Sequence, residues 1–197
     1  MSRTKDESLH SQRRAGILQA AAQIFKAKGF HLARTEDICS AANLSAGTLF
    51  RHFPDKRSMI MAIMEIEFEQ YKIDIQQLAT KQGIQWLAQI GPDDLIELLQ
   101  PKGFDLGTDS WLEMARDPEG KQRMQAFDKK LHQTLSKELK RGQVDGWVRP
   151  SLDCAGAATL ILALFAGLSF DHELGLALEP KATARALADL VSGFVLP

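Results

Sequence analysis

Apolar residues recur at intervals of three and four along most of this chain, which is the spacing of α-helices that bury one face. Glycine, proline and small polar residues separate the periodic segments. No convincing run alternates β-branched with polar residues, as a half-buried strand does. The pattern therefore predicts an all-α fold of about nine helices, with three helices in a small N-terminal head and the rest in a larger body.

The head begins with a predicted helix from about Ser11 to Lys28, and Gly29 stands where a C-terminal cap belongs. We expect residues 1–10 to form a flexible basic tail. Two shorter helices follow, separated by Asn43, a residue that tolerates a left-handed turn. Ser45 is placed to cap the third helix, because its hydroxyl can accept a hydrogen bond from a backbone N–H of the first turn.

Residues 34–53 read RTEDICSAANLSAGTLFRHF and have the geometry of a helix-turn-helix. The second helix opens with Ala46 and Gly47, which add little bulk where a helix enters a major groove. Thr48 and the backbone amides can therefore approach base edges and phosphates. At the rim, the sugar-phosphate backbone would meet Arg51, His52, Lys56 and Arg57. By periodicity alone, an ordinary helical hairpin with solvated charges fits this segment equally well.

The net charge of −1 hides an asymmetry along the chain. Residues 1–57 hold ten Lys or Arg and five Asp or Glu, a net charge of +5, which leaves −6 for residues 58–197. Surface lysines are usually only solvated, but a basic head on an acidic body is expected when only the head approaches phosphate.

The body opens with a long helix whose apolar face is too wide for a single contact. A stretch rich in glycine and proline then breaks the chain into short helices around Trp86, Leu95 and Trp111. An effector pocket, if there is one, is expected between the long helix and these middle helices. The residues that would line it are also ordinary core residues at helical spacing: Met64, Phe68, Trp86, Trp111, Met114, Phe127 and Leu131.

Residues 154–170 contain no charged side chain, a property that membrane spans share. The stretch is shorter than the about 20 residues that a span requires, and Asp153 and Asp171 bracket it, so we expect no membrane association. Its small residues suit close packing against an identical helix and the last helix of the chain. Two such helices from each subunit would give a four-helix dimer interface. The residues expected there are Leu160, Leu164, Gly167, Leu187, Leu190 and Phe194.

The stretch from Arg13 to about Glu65 resembles the N-terminal domain of the TetR family of transcription regulators. The matching positions are Ile17, Ala20 to Ala22, Phe25, Gly29, Phe30, Thr35, Ile38, Ala42, Leu44, Ser45, Gly47, Thr48, Leu49, His52, Phe53 and Lys56. Further along, RGQVDGWVRPSLD and the apolar helix after it resemble the C-terminal domain of the BetI-like branch. The resemblance implies a helix-turn-helix DNA-binding domain over residues 1–57 and a helical dimerisation and effector-binding domain over residues 58–197.

The resemblance also implies a function: a sequence-specific regulator, by family default a repressor, that binds a palindromic operator as a homodimer and responds to a small molecule. Near the bases it places Arg34, Ala46, Gly47 and Thr48. At the phosphates it places Thr35, Phe50, His52 and Lys56, and Ser45 and Arg51 complete the predicted DNA-binding set. Phe50 stands where the family commonly has tyrosine, which removes the hydroxyl for that phosphate hydrogen bond.

Two other classes of function compete with this interpretation. An enzyme is disfavoured by the lack of a nucleophile elbow, phosphate loop, zinc pair or cysteine–histidine site, so we expect no catalytic residue, metal or cofactor. A helical adaptor that has lost its DNA contacts stays open, and salt-dependent DNA binding would exclude it. Cys39 and Cys154 are expected to be buried and unpaired. The first dozen residues contain no apolar signal-like segment, so we expect a cytoplasmic protein.

Overall fold

A computed structural model describes residues 2–197 of the chain, with the side chains of residues 9–197. The described residues form ten α-helices and no strand, so the predicted all-α fold is confirmed. The helices are α1 (Ser2–Leu32), α2 (Thr35–Ala41), α3 (Ala46–His52), α4 (Lys56–Leu78), α5 (Lys81–Leu87), α6 (Pro92–Leu99), α7 (Thr108–Arg116), α8 (Pro118–Val144), α9 (Cys154–Glu173) and α10 (Pro180–Phe194).

The first helix begins earlier than the sequence pattern predicts. Residues 2–10, expected as a flexible tail, continue α1 toward the N-terminus, while Met1 lies outside the described residues. No glycine or proline interrupts these residues, so nothing in the local sequence ends the helix at Ser11. Residues 2–10 are therefore helical in the structure, and the flexibility expected of them remains a prediction.

The end of α1 depends on Gly29, as the sequence predicts. Gly29 has φ 72° and ψ 159°, a conformation that only glycine adopts readily, and it kinks the helix before the last turn closes at Leu32. A Cβ added at Gly29 would lie 2.9 Å from Oδ2 of Asp109. The position is therefore restricted by its backbone conformation and by its surroundings.

The chain divides into two compact units. The first comprises the described residues up to Glu69 together with Pro101–Arg123. In this unit α2 packs against α1 and α3, and α7 packs against α1. Its largest fully buried side chains are apolar: Ile17, Phe25, Ile38, Leu49, Phe53, Met59, Ile60, Ile63 and Met64. The predicted boundary after Arg57 concerns the division of function between two domains, and it stays a prediction.

The second unit comprises Gln70–Gln100 and Met124–Pro197. Here α10 packs against α5 and α6, and α6 packs against α9. The core includes Leu95 and Val148, which are fully buried. The amide of Gln143 donates hydrogen bonds of 2.9 to 3.1 Å to three carbonyl oxygens of the loop between α8 and α9, those of Arg149, Pro150 and Leu152. The loop that sets the start of α9 is thereby fixed to α8. As predicted, Cys39 and Cys154 are buried and unpaired.

Candidate nucleic-acid interface

The turn between α2 and α3 has the conformation that its sequence predicts. Asn43 adopts φ 52°, within the left-handed region. Ser45 then caps α3, and its Oγ accepts a hydrogen bond from the backbone N–H of Thr48 at 3.3 Å. Leu49, one turn into the helix, is fully buried. Local sequence therefore sets the position at which α3 begins, and the burial of Leu49 fixes which of its faces points inward.

The opposite face of α3 is open to solvent. Ala46, Gly47, Phe50 and Arg51 are all exposed, and an added Cβ at Gly47 would meet nothing within 4 Å. Thr48 is half-buried, and its Oγ1 accepts a hydrogen bond from Nη2 of Arg51 at 3.2 Å. The predicted base-facing end of the helix thus presents small residues, a hydroxyl and a cation on an accessible surface.

The start of α2 is held by Asp37. Its carboxylate accepts a hydrogen bond from the backbone N–H of Arg34 at 3.1 Å and lies 2.8 Å from Nζ of Lys28. The hydrogen bond with Lys28 is the main reason that the pKa of Asp37 is lowered, and the Arg34 amide adds to it. The side chain of Arg34 is exposed, while that of Thr35 is half-buried. Both residues lie at the N-terminus of α2, where backbone amides suit phosphate.

Lys56 is engaged within the chain. Its Nζ donates hydrogen bonds to the carbonyl oxygens of Phe30 at 2.8 Å and Ala33 at 2.7 Å, and lies 4.8 Å from the centroid of the Phe30 ring. An ammonium group has three N–H donors, and these carbonyls take two of them. No local sequence pattern indicates this link between α4 and the end of α1, because the partners lie 23 and 26 residues apart. The predicted phosphate contact of Lys56 remains a prediction.

His52 ends α3 in a half-buried position. Its Nδ1 is buried and has no hydrogen-bond partner among the described residues. Its ring centroid is 4.5 Å from that of His10, with 40° between the ring planes. Burial lowers the pKa of His52, and neighbouring positive charges lower it further. The structure thus brings a residue of α1, absent from the predicted DNA-binding set, beside a predicted phosphate ligand.

Arg57, predicted at the phosphate rim, is bound by carboxylates of its own chain. Its Nε and Nη2 donate to both oxygens of Asp117 at 2.9 and 2.8 Å, and Nη2 also donates to Glu119 at 2.7 Å. The Arg57 guanidinium holds the pKa of Asp117 at about 2, and these carboxylates raise the pKa of Arg57. Arg57 is therefore engaged within its own chain, and its predicted contact with the phosphate rim remains a prediction. Asp117 lies 60 residues along the sequence, so no local pattern could reveal the pair.

Four predicted effector residues lie in the first unit and three in the second. In the first, Met64 and Met114 are buried, and Phe68 contacts Trp111 with ring centroids 5.4 Å apart. In the second, Leu131 is part of the core, Phe127 packs against that core, and Trp86 is 40% exposed. The structure therefore brings Phe68 and Trp111 together, and the pocket itself stays a prediction.

The predicted dimer residues are mostly accessible, with one exception. Leu160 is 61% exposed and Leu190 48% exposed, Gly167 is exposed, and Leu164 and Phe194 are half-buried. Leu187, in contrast, is only 3% exposed because it packs into the core of its own unit. Its assignment to the dimer surface is therefore wrong. A groove of about 300 Å³ opens beside this surface, lined in part by Gly156, Leu160 and Phe194.

The helix α9 is long and apolar enough to cross a membrane, judged by length and composition. An 18-residue window has a mean hydropathy of 1.7, yet only 22% of that window is buried in the chain. Core helices of soluble proteins pass the same test of length and composition. The low burial leaves a large apolar helix surface open in the isolated protomer.

Family profiles match both parts of the chain. A profile of bacterial regulatory proteins of the tetR family matches residues 17–63, and a profile of the C-terminal domain of BetI-type transcriptional repressors matches residues 100–195. The chain belongs to the TetR family. Both predicted resemblances are confirmed, and the first profile contains α3 and every residue of the predicted DNA-binding set.

Similar proteins cover nearly the whole TetR-family chain. The HTH-type transcriptional regulator UidR of Escherichia coli K12 is 26% identical over 189 residues, 92% of each chain. A TetR regulator from Chloroflexus aurantiacus matches with a TM-score of 0.74 at 20% identity, covering 96% of this chain and 98% of that one. A regulator from Saccharomonospora viridis, solved in complex with choline, matches with a TM-score of 0.72 at 23% identity, covering 95% and 99%.

Membership of the TetR family decides between the three classes of function that the sequence leaves open. The chain is a DNA-binding transcriptional regulator, and its relatives are regulators and not enzymes. The exposed surface of α3 is consistent with this role, since the helix that reads DNA must be free to enter the major groove.

Proposed function

We propose that this TetR-family regulator is a repressor that binds a palindromic operator as a homodimer and releases it when a small molecule binds. The observation that carries the proposal is the exposed apolar surface of α9, which a second copy of the chain would cover. Dimerisation would place two α3 helices on one duplex, and symmetric DNA-binding dimers read symmetric sites.

The spacing of the exposed residues on α9 supports dimerisation. A stripe of exposed residues, three or four apart, runs along the helix: Gly156, Leu160, Ala163, Gly167 and Phe170. Large contiguous apolar surfaces on soluble proteins mark interaction sites. Because a two-fold interface uses the same surface on both subunits, a stripe on one helix suits a second copy of itself. Leu190 of α10 extends the surface.

Contacts of α7 support a response to a small molecule. Trp111 on α7 contacts Phe68, and α7 packs against α1. Directly after α7, Asp117 binds Arg57 at the start of α4. A ligand that displaces Trp111 would therefore disturb contacts to both α1 and α4. It would change operator affinity to the extent that it binds the two conformations unequally. The choline complex of the Saccharomonospora viridis relative supports a small-molecule ligand in general.

Repression and a cytoplasmic location rest on the comparisons. The C-terminal profile describes repressors, and a bacterial regulator that binds DNA works where the chromosome is. A repressor needs only to occupy its operator, which requires no further contact with the transcription machinery.

Selection from a random duplex library tests the proposal with the full-length protein. We expect enriched sequences to contain an inverted repeat with half-sites about one helical turn apart, roughly 34 to 36 Å. Sedimentation should give twice the 21.9 kDa chain mass. Placed before a reporter gene, the selected operator should lower expression when the protein is present. A monomer in solution, or enriched sites without symmetry, would contradict the proposal.

A further inference from the structure

Two histidine rings meet at the end of α3. His10 of α1 is exposed, and its ring centroid lies 4.5 Å from that of the half-buried His52. The Nδ1 atom of His52 is buried and, among the described residues, accepts and donates no hydrogen bond. A proton on this atom would have no acceptor, so the isolated protein favours the neutral ring.

Positive charges surround the pair on both helices that form it. Four neighbouring groups act electrostatically on His52 and disfavour the protonated form of its ring. They are His10, Arg13 and Arg14 of α1 and Arg51 of α3. The guanidinium of Arg14 lies 4.3 Å from the centroid of the Phe53 ring. This contact fixes Arg14 next to the end of α3. Arg13 and Arg51 are exposed.

We propose that these five residues, His10, Arg13, Arg14, Arg51 and His52, form a histidine cluster that binds duplex phosphates and takes up a proton at His52 when it does so. The inference rests on DNA binding by this head. It adds the N-terminal half of α1 to the interface and makes operator affinity depend on pH.

The sign of the effect follows from the charges. In the free protein, burial and the arginines hold the pKa of His52 below its ordinary value of 6.5. Phosphates beside the cluster offset the arginine charges and favour the protonated imidazole, so the pKa rises in the complex. Because the complex then holds more protons than the free partners, DNA binding strengthens as pH falls. One coupled proton changes affinity by at most about tenfold per pH unit.

Phosphate contacts do not read sequence, so an operator is not needed for the test. The probe is a labelled mixed-sequence duplex of about 20 base pairs, two turns of B-DNA. Its affinity for the full-length protein is measured by fluorescence anisotropy at about pH 6 and about pH 8, around the histidine range, at one ionic strength. Calorimetry in two buffers of different ionisation enthalpy then counts the protons taken up directly.

For the wild-type protein we expect roughly three- to tenfold tighter binding at the lower pH and net uptake of up to about one proton. His10→Gln and His52→Gln should each reduce this ratio of affinities. His31→Gln is the matched control, since His31 is exposed in the same unit but pairs with Glu113 at 3.0 Å, outside the cluster. Thermal unfolding of each variant checks its fold, and the exposed His10 gives a decisive variant even if His52→Gln is destabilised.

Two results would overturn the inference. One is wild-type binding that does not strengthen at the lower pH and takes up no proton. The other is that His10→Gln and the control His31→Gln give the same ratio of affinities between the lower and the higher pH. Failure to bind any duplex at either pH would contradict DNA binding itself, whereas binding without pH dependence would contradict only the proton coupling.

Discussion

The ammonium group of Lys56 donates a hydrogen bond to the carbonyl oxygen of Ala33 at 2.7 Å. A second bond from the same group reaches the carbonyl oxygen of Phe30 at 2.8 Å. The last carbonyl groups of a helix have no partner within the helix, and a cation there also interacts favourably with the helix dipole. Lys56 therefore connects the start of α4 to the end of α1, close to α3, the predicted reading helix.

Replacement of this lysine should destabilise the head. We expect Lys56→Met to lower the free energy of unfolding by about 1 to 3 kcal/mol, because two carbonyl groups lose a charged donor in a part-buried site. Urea denaturation of the full-length protein measures the change. Lys121→Met, at an exposed position of α8, is the control and should have little effect. Equal stability of the two variants would show that the bonds contribute nothing.

Gly29 should resist substitution even by alanine. Its φ of 72° with ψ of 159° is a region that residues with a Cβ avoid at a cost of order 1 to 3 kcal/mol, and the new Cβ would meet Asp109 at 2.9 Å. Gly29→Ala should therefore lower the thermal unfolding temperature. Gly16→Ala, in the open middle of α1, should raise it slightly, since alanine favours helix by up to about 1 kcal/mol. If Gly29→Ala unfolds at the same temperature as the wild type, the conformation at this position does not require glycine.

At Gly47 we expect stability and DNA binding to change in opposite directions. An added Cβ there meets nothing within 4 Å, so Gly47→Ala should leave the fold intact or slightly more stable. On DNA, the methyl group would occupy space at the end of the helix that enters the groove. We expect operator affinity to fall at least about tenfold, or 1.4 kcal/mol. Anisotropy with the selected operator measures the loss, and unchanged affinity would place this end of α3 away from the duplex.

Acid should weaken the first unit through Asp117. Its pKa of about 2 is below the ordinary 3.8 because Arg57 stabilises the charged carboxylate. Because the pKa is lowered in the folded state, the ionised Asp117 stabilises that state fully above about pH 4. This stabilisation is lost as pH falls toward 2. The unfolding temperature of Asp117→Asn should therefore fall less over this interval than that of the wild type.

Asp145→Asn is the comparison for the acid experiment. Asp145 forms an exposed ion pair in the second unit, 3.7 Å from Nε of Arg141. This variant should keep the acid dependence of the wild type, as followed by circular dichroism. If Asp117→Asn has the same profile as Asp145→Asn, the pair with Arg57 does not stabilise the unit.

A charge on α9 should separate the proposed dimer. Leu160 is 61% exposed in the protomer, so Leu160→Glu can fold, but a carboxylate would be buried without a partner at the interface. Light scattering should show a monomer with wild-type helix content and weakened operator binding. Val144→Glu, at an 87% exposed position outside α9 and α10, should remain dimeric. A Leu160→Glu dimer would mean that another surface associates.

Much of the head could be predicted because its signals are local. The left-handed Asn43, the cap at Ser45 and the break at Gly29 each depend on residues within one turn of the chain. Helical periodicity likewise predicted the all-α fold, and the matches at family spacing predicted the regulator. The early start of α1 was missed, because neither a cap nor a break marks residues 2–10.

The sequence by itself determined the all-α fold, the local structure of the helix-turn-helix and the family, since these follow from periodicity, caps and motif spacing. Only the tertiary structure decided which charged side chains of the head bind groups of their own chain. Lys56 and Arg57 bind groups 23 to 62 residues away, and the ring of His52 on α3 contacts that of His10 on α1. The tertiary structure also buries the side chain of Leu187 and leaves that of Leu160 exposed to solvent. Such pairings depend on how helices pack, and no local pattern records which side chains that packing brings within hydrogen-bond distance.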